Sequence, residues 1–220
     1  MKTTEMLFSG AADIFDEYNR HPFVLGIQDG TLDREKFRYY IVQDCLYLED
    51  YAKVFAVGTA KAQTLRIANL FVQYIPVMNG ELDVHKGYLA RLGVTEEEIA
   101  STPRALANLS YTSYMLRIAY EYGEAEILAA VLACAYSYEV IAKRIVAAYP
   151  EATCHEFYGD WVRSYISGEY STHNAELIGI LDELTAGYSE NRQKKLAEIF
   201  RVSARYELGF WDMAWSNCRE

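Results

Sequence analysis

Cysteine is scarce in this chain of 220 residues, and the few cysteines exclude two structural roles. They are Cys45, Cys134, Cys154 and Cys218. Their spacing fits no zinc-binding pattern, and they are too sparse for a scaffold held together by disulfides. A reduced, cytoplasmic protein with free thiols is therefore the simplest interpretation.

Linkers and internal repeats are also missing. The four prolines argue against a proline-rich linker, and no run of serine, glycine or charge divides the chain. The length is near that of an ordinary domain, and the hydrophobic content of 51% is enough for one sizeable core. We therefore expect one domain that spans residues 1–220.

Positive charge is in deficit, with 21 lysines and arginines against 31 acidic residues and a net charge of −10. Nucleic-acid binding favours a basic face, so no nucleic-acid partner is expected. No apolar run approaches the roughly 20 residues of a spanning helix, and no basic amphipathic face suits an anionic membrane. The N-terminal MKTTEMLFSGAADIF lacks the apolar core of a signal peptide. No membrane partner is expected either.

Long alternating strand patterns are absent, whereas apolar residues recur at spacings of three and four, which favours helices. There is no phosphate loop, GxGxxG or GxSxG motif, so nucleotide binding by a standard motif is unsupported. We expect an all-α, compact helical bundle. HPFVLGIQDGT is predicted to be irregular with a break at Gly30, and the Ser-Thr-Pro triplet at 101–103 is predicted to begin a helix. The predicted helices cover residues 3–19, 33–62, 64–92, 104–122, 124–148, 154–167, 170–187 and 189–216.

Tyrosine, by contrast, is abundant, with nineteen in the chain. In RYYIVQDCLYLEDY, four residues at i, i+4, i+7 and i+11 share one helical face: Tyr40, Asp44, Tyr47 and Tyr51. An acid framed by tyrosines near a core face can bind the donor edge of a heteroaromatic ring. The alternative is an exposed aspartate on a solvated face with tyrosines at its margin, and the pattern alone slightly favours this alternative.

Cys134 lies in AVLACAYSYEV, with Tyr138 on the same helical face. The rest of that face is apolar, which predicts a buried thiol that serves as packing filler. Apolar surroundings would raise the pKa of the thiol and leave it inert, so a reactive Cys134 needs a base from another helix. Glu139 points elsewhere and is expected to form a surface ion pair with Lys143.

The C-terminal segment IFRVSARYELGFWDMAW offers such a group. Glu207 shares a face with Phe200, Phe210 and Trp211, which places its carboxylate in an aromatic stripe. Burial there would raise its pKa and suit it to proton transfer near neutral pH. The alternative is a structural glutamate bonded to a tyrosine hydroxyl. Because charged residues are rarely buried without a reason, a functional role is slightly favoured.

Three Glu-x-x-x-His pairs place a carboxylate and an imidazole on one helical face: Glu81/His85, Glu151/His155 and Glu169/His173. Di-iron bundles use Glu and Glu-x-x-His ligands from several helices, with a spacing of three instead of four. The chain has only four histidines, including His21, so a di-metal site is under-supplied. Caps and surface pairs are the expected roles for most of these residues.

Five segments carry a resemblance that covers nearly the whole chain. They are, in order, HPFVLGIQDGTLDREKFRYYIVQDCLYLEDYAKVFA, SYTSYM, LACAYSYE, YGDWVRSYISGEY and RYELGFWDMAW. These resemble the TenA-type thiaminase II family of the haem-oxygenase-like all-α superfamily, whose patterns include His-Pro-Phe, Tyr-x-x-x-Gln-Asp and a closing Tyr-Glu-x-x-Phe-Trp-x-Met-Ala. One departure is PEATCHEF, which matches no family motif.

The resemblance implies a role for each matching residue. Cys134 would be the nucleophile that adds to the pyrimidine ring, Glu207 the acid/base at the ring nitrogen and leaving group, and Asp44 the group that binds the amino edge. Four tyrosines would line the pocket: Tyr47, Tyr111, Tyr138 and Tyr165. The resemblance also implies the cysteine-containing branch of the family, a cytosolic homotetramer, and no need for a metal or other cofactor.

The expected reaction belongs to thiamin salvage. It converts an aminomethylpyrimidine breakdown product of thiamin to hydroxymethylpyrimidine and ammonia, with cleavage of thiamin to hydroxymethylpyrimidine and thiazole as a second activity. Two alternatives stay open. One is a di-iron or cofactor-free oxidase on the same fold, which the Glu/His pairs motivate. The other is a non-catalytic pyrimidine-binding or regulatory protein.

Overall fold

Eleven α-helices and one 3-10 helix make up the part of the chain that the computed structural model describes, which is residues 1–216 without the side chains of 77 and 79–83. The α-helices are α1 (Thr3–Gly10), α2 (Ala12–Arg20), α3 (Pro22–Asp29), α4 (Arg34–Lys61), α5 (Leu65–Leu92), α6 (Glu96–Ser101), α7 (Leu106–Glu121), α8 (Glu124–Ala148), α9 (Gly159–Tyr165), α10 (Gly168–Thr185) and α11 (Glu190–Ser216). The 3-10 helix, Pro150–Cys154, lies between α8 and α9. No strand occurs within the described residues, so the all-α prediction is confirmed.

Side-chain caps and a left-handed glycine set several helix ends. Asp33 Oδ1 accepts the amide of Glu35 at 2.7 Å and begins α4, and Ser167 Oγ accepts the amide of Tyr170 at 3.1 Å and begins α10. Gly30 ends α3 with a φ of 75°, a conformation that glycine adopts without steric cost. The predicted break at Gly30 is confirmed.

Four of the local predictions are wrong, and one of them is the helix expected over 154–167, which begins only at Gly159. Residues 3–19, expected to be one helix, form the separate helices α1 and α2. The stretch predicted to be irregular is helix α3, because Pro22 suits its first turn and His21 Nδ1 accepts the amide of Phe23 at 3.2 Å. The helix expected from the Ser-Thr-Pro triplet begins later, at Leu106.

Helix α8 is the central element of the fold. It packs against α4, α7, α9, α10 and α11, and small, fully buried residues such as Ala129, Ala130 and Ala133 let these neighbours approach closely. Among the described helices, α8 alone is long and apolar enough to cross a membrane, with a mean hydropathy of 1.5 over its most apolar stretch. Because 78% of that stretch is buried within the protein, its composition is explained by its central position.

Helices α4 and α5 approach each other closely at Gly58. A Cβ atom at this position would lie 2.8 Å from the ring of Phe71, which is completely buried and cannot move aside freely. Glycine therefore allows the two long helices to pack against each other. Their pairing places Asp44 of α4 opposite His85 of α5.

Polar contacts join the N-terminal helices to the last two helices. The amide and hydroxyl of Thr4 donate to the carboxylate of Asp182 at 2.9 to 3.0 Å. Arg201 binds Asp13 through two hydrogen bonds of 2.6 Å. These contacts fix the positions of α10 and α11 against the N-terminal helices. Both α10 and α11 carry residues of the candidate site described below.

Candidate active site

A narrow pocket lies between α4, α5, α8 and α10. The volume open to the centres of water-sized molecules is about 50 Å³. Apolar and aromatic side chains form most of its wall, with a few polar groups, as is usual for small-molecule sites. Its described lining residues are Asp44, Tyr47, Leu48, Tyr51, Tyr74, Met78, Cys134, Ala135, Tyr138, Tyr170, His173 and Asn174.

A wider groove of about 760 Å³ on the surface between α5 and α10 is a weaker candidate. Its charged groups already bind one another, since Arg66 forms hydrogen bonds of 2.5 and 2.7 Å with both carboxylate oxygens of Glu183. Gln73 donates to Glu176 at 2.9 Å. The groove is open to solvent and holds none of the predicted site residues, so the narrow pocket is the better candidate.

Four of the seven residues predicted for the site line this pocket. Asp44 and Tyr47 lie one turn apart on α4, and Cys134 and Tyr138 lie one turn apart on α8. Asp44 is only 4% exposed, so the interpretation as an exposed aspartate on a solvated face is wrong. The two helices bring a carboxylate and a thiol into one cavity.

The face of α8 is open at Cys134. Val131 and Ile141 on this side of the helix are fully buried, but Cys134 is half-buried and lines the pocket. The expectation of a fully buried thiol that serves as packing filler is therefore wrong. A half-buried thiol can meet a small molecule, whereas a thiol enclosed in the core cannot. Cys218 lies outside the described residues.

The other two predicted tyrosines support the pocket wall from behind. The ring centroid of Tyr111 lies 5.3 Å from that of Tyr47, and the centroid of Tyr165 lies 4.7 Å from that of Tyr138. Phe210 of α11 contacts the ring of Tyr47 edge-on at 5.7 Å. Tilted and edge-on ring pairs of this kind hold the wall in a fixed shape.

Glu207 lies on α11, one turn before Phe210, and its exposure of 2% confirms the predicted burial. It is not among the described residues that line the pocket. Electrostatics nevertheless connect it with the thiol. Burial, followed by electrostatic interaction with Glu207 and Cys134, raises the pKa of Tyr111 well above its usual value. The pKa of Tyr47 is also raised, mainly by burial and further by interaction with Cys134 and Glu207. The two tyrosines therefore lie in the field of both groups.

His85 of α5 is a site residue that the sequence pattern does not reveal. It is expected from the sequence to be a cap or part of a surface pair, but it is only 1% exposed. Its Nε2 lies 3.3 Å from Asp44 Oδ2. Burial lowers the pKa of His85 to about 4. The ring is therefore neutral at pH 7, and its Nε2 lies against the carboxylate of Asp44. Only its proximity to Asp44 in the structure identifies His85 as a residue of the candidate site.

The remaining histidines have different roles. His21 caps α3, and His155 Nδ1 accepts two backbone amides at 3.0 and 3.1 Å, which confirms the expected caps. His173 lines the pocket, so its assignment to the surface is wrong. The side chain of Glu81 lies outside the described residues. Within the described part of the chain, no three His, Cys, Asp or Glu residues cluster closely enough to hold a metal ion, so the di-iron form of the oxidase alternative lacks a ligand set there.

Glu139 is wrongly predicted as a surface residue. It is 6% exposed, and its carboxylate accepts hydrogen bonds from Ser171 at 2.7 Å and Asn174 at 2.6 Å. The predicted ion pair with Lys143 is confirmed. These contacts hold α10 against α8 and bring Asn174 to the pocket wall.

The wall formed by α5 and α10 is not predicted from the sequence. The Tyr74 hydroxyl donates to the carbonyl of His173, and the Tyr170 hydroxyl donates to the carbonyl of Ala135 at 2.9 Å. Met78 completes this side of the pocket. The abundance of tyrosine is the only signal in the sequence, and it does not say which tyrosines converge.

Comparison with known proteins gives consistent matches over the chain. The model of the TENA/THI-4/PQQC family matches residues 9–217. An aminopyrimidine aminohydrolase from Helicobacter pylori is 41% identical over 218 residues, which are 99% of this chain and 100% of that protein. The structure of a TenA homologue from P. horikoshii OT3 is 31% identical, with a TM-score of 0.88 over 99% of this chain and 100% of that one. A Shewanella denitrificans domain with a haem-oxygenase-like fold has a TM-score of 0.78 at 14% identity, over 99% and 93% of the two chains, which confirms the predicted fold.

We predict that His85 is neutral at pH 7, with its proton on Nε2. Nitrogen-15 spectra of histidine-labelled protein should show this tautomer, with no titration of the ring between pH 7 and pH 5, and a His85→Phe variant would assign the signal. The unfolded chain gains this proton near pH 6.5 and the folded protein only near pH 4, so His85 lowers stability as the pH falls through that window. A ring protonated on both nitrogens at pH 7 would show that Asp44 outweighs burial.

Proposed function

Since the chain belongs to the TENA/THI-4/PQQC family, we propose that its pocket hydrolyses an aminomethylpyrimidine from thiamin breakdown to hydroxymethylpyrimidine and ammonia. The protein is an aminopyrimidine aminohydrolase, as its Helicobacter pylori relative is by name, and it acts in thiamin salvage. The observation that carries this proposal is the cavity in which Cys134 of α8 and Asp44 of α4 meet.

Asp44 binds the amino edge of the pyrimidine. An ionised carboxylate is an acceptor only, so it complements the N–H groups of that edge. The contact of Oδ2 with His85 Nε2 at 3.3 Å fixes the orientation of the carboxylate. Tyr47 and Tyr138 contact the ring from the walls of the pocket. A ring held in this way makes the attack by the thiol effectively intramolecular.

Cys134 supplies the nucleophile. Its thiolate forms an S–C bond with an electron-poor ring carbon, and the displaced electron pair passes to a ring nitrogen that takes a proton from Glu207. The ring then expels the protonated exocyclic amine as ammonia, which breaks the C–N bond. Water adds its hydroxyl to the methylene carbon and releases a proton. The S–C bond then breaks, and the ring nitrogen returns its proton to Glu207.

Glu207 acts on the ring from the α11 side of the pocket. Tyr111 lies in the field of both Glu207 and Cys134, and its buried hydroxyl has no hydrogen-bond partner among the described residues. Tyr111 lies behind Tyr47, so it supports the wall next to the substrate without lining the pocket. Tyr165 has a supporting role behind Tyr138.

The same chemistry extends to thiamin, with thiazole as the leaving group in place of ammonia. None of these steps calls for a metal ion or another cofactor. We further propose that residues 1–220 act as one TenA-like domain and that the protein is cytoplasmic. The family match over residues 9–217 supports the first statement. The free state of the three described cysteines suits a reducing compartment.

Replacement of Cys134 tests the nucleophile. We expect Cys134→Ala to lower the release of hydroxymethylpyrimidine and ammonia by at least about a thousandfold, since covalent catalysis is lost. Cys154→Ala is the matched control, because Cys154 is exposed and lies outside the pocket. Both variants should keep the circular dichroism and melting temperature of the parent protein. Turnover of the substrate by Cys134→Ala at the parent rate would refute the mechanism.

Glu207→Gln tests the acid/base group. The amide keeps the shape of the side chain but cannot transfer the proton, so kcat should fall by about 10² to 10⁴ while KM changes little. Glu198→Gln is the control, because it is an exposed glutamate on the same helix and should have the parent kcat. An unchanged kcat in Glu207→Gln would assign proton transfer to another group.

The homotetramer is also a proposal, which rests on the family resemblance. Three exposed apolar side chains on one face of α7 are suited to a subunit contact: Leu106, Leu109 and Tyr120. Light scattering after size exclusion should give a mass four times that of the 25.2 kDa chain. Leu106→Glu should lower that mass if α7 lies in the contact. A monomer in the parent protein at micromolar concentration would disprove the tetramer.

A further inference from the structure

Two hydrogen-bond acceptors fix the amide orientation of Asn174. Its Nδ2 lies 2.6 Å from Glu139 Oε2 and 3.0 Å from the carbonyl oxygen of Ala135. Because both neighbouring atoms are acceptors, the amide nitrogen with its two hydrogens faces them. Both N–H groups are therefore used, and the amide oxygen Oδ1 faces away from Glu139.

The charge of Glu139 maintains this orientation. Burial alone would raise its pKa, but hydrogen bonds from Lys143, Asn174 and Ser171 lower the pKa of Glu139 below its usual value. The carboxylate is thus ionised and accepts hydrogen bonds without donating any. A flipped Asn174 amide would place its oxygen against two other oxygens, which is unfavourable.

The amide of Asn174 lies beside the proposed nucleophile. Asn174 and Cys134 both line the pocket, and Asn174 is bound to the carbonyl of Ala135, the residue that follows Cys134. Asn174 is 2% exposed, and its hydrogen bonds to Ala135 and Glu139 both use Nδ2, so Oδ1 is the amide atom left to meet a ligand. An amide oxygen on the wall of a pocket is an acceptor suited to a ligand N–H.

The chemistry of the reaction places the leaving group on the side of the pocket where Cys134 and Asn174 lie. The thiol can expel the exocyclic substituent only by adding to the ring carbon next to the one that carries the methylene. The leaving amine therefore lies close to Cys134, whereas Asp44 binds the amino edge. A protonated amine in this position has N–H donors and a positive charge, and both need compensation in a narrow pocket with a largely apolar wall.

We propose that Asn174, held in place by Glu139, is a specificity-determining residue that accepts a hydrogen bond from the leaving amine through Oδ1. This inference rests on the proposed aminopyrimidine hydrolysis and names the leaving group for which the pocket is built. The negative charge of Glu139 behind the amide adds an attraction for the cationic amine. Thiamin benefits from that charge as well, but its thiazolium nitrogen carries no hydrogen to donate to Asn174. The pair therefore favours an aminomethylpyrimidine over thiamin.

The test compares two substrates in one variant. Asn174→Leu keeps the approximate volume of the side chain and removes the acceptor. We expect kcat/KM for the aminomethylpyrimidine to fall about tenfold to a hundredfold, because a hydrogen bond to a charged group is lost. For thiamin, kcat/KM should change less than about threefold. Retained thiamin cleavage also shows that the variant is folded. If the parent protein does not cleave thiamin, the trimethylammonium analogue of the substrate replaces it, because its leaving group is a cation without an N–H.

Ser171→Ala is the matched control. It removes a different hydrogen bond to Glu139, of 2.7 Å, and leaves the Asn174 amide in place, so the ratio of the two activities should stay that of the parent. If Asn174→Leu does not fold, Asn174→Ala takes its place with the same expected ratio. An equal loss on both substrates, or no loss on the amine, overturns the role of Asn174. Failure of the parent protein to release ammonia from the aminomethylpyrimidine would instead overturn the proposed function.

Discussion

Burial of three carboxylates is the constraint on which the architecture of the pocket depends. Asp44, Glu139 and Glu207 are 4%, 6% and 2% exposed, and a carboxylate at such depth must be compensated by neighbouring groups. Asp44 is compensated from α5 by His85, and Glu139 from α10 by Asn174. Asp44 thus joins α4 to α5, and Glu139 joins α8 to α10. The same contacts that hold the bundle together create the polar corners of an otherwise aromatic cavity.

Tyrosines give this cavity its shape, and several of them also bind the backbone of a neighbouring helix. Their rings fill the space between helices, while their hydroxyls reach backbone carbonyls on neighbouring helices, as Tyr51 does with Val131 and Tyr170 with Ala135, both at 2.9 Å. Each bond ties the wall of the pocket to the backbone of α8, the helix that carries Cys134. A wall anchored in this way has few alternative conformations, which is what the positioning of a ring next to a thiol requires. The high tyrosine content therefore reflects both folding and function.

The sequence predicts those features that are expressed within one helix. The aromatic stripe around Glu207 is a local pattern, and the burial of Glu207 agrees with it, whereas the pattern around Asp44 slightly favours an exposed aspartate. Convergence of separate helices is not a local property, so the patterns do not reveal that His85 contacts Asp44. Glu139 shows the same difficulty: its i+4 lysine is recognisable, whereas its partners on α10 are not. Helix α3 is mispredicted because a proline and glycines suggest a loop, although a histidine cap stabilises its first turn.

The contacts between the two ends of the chain have a consequence for biosynthesis. Thr4 and Asp182 are 178 positions apart, and Asp13 and Arg201 are 188 apart, so neither pair can form until most of the polypeptide has left the ribosome. The apolar helix α8 emerges well before α10 and α11, which cover it, and its surface is open to chaperones or to aggregation in the interval. The thiol is likewise synthesised long before Glu207. A nascent chain thus carries Cys134 without the buried carboxylate of Glu207, and the residues of the site come together only as translation ends.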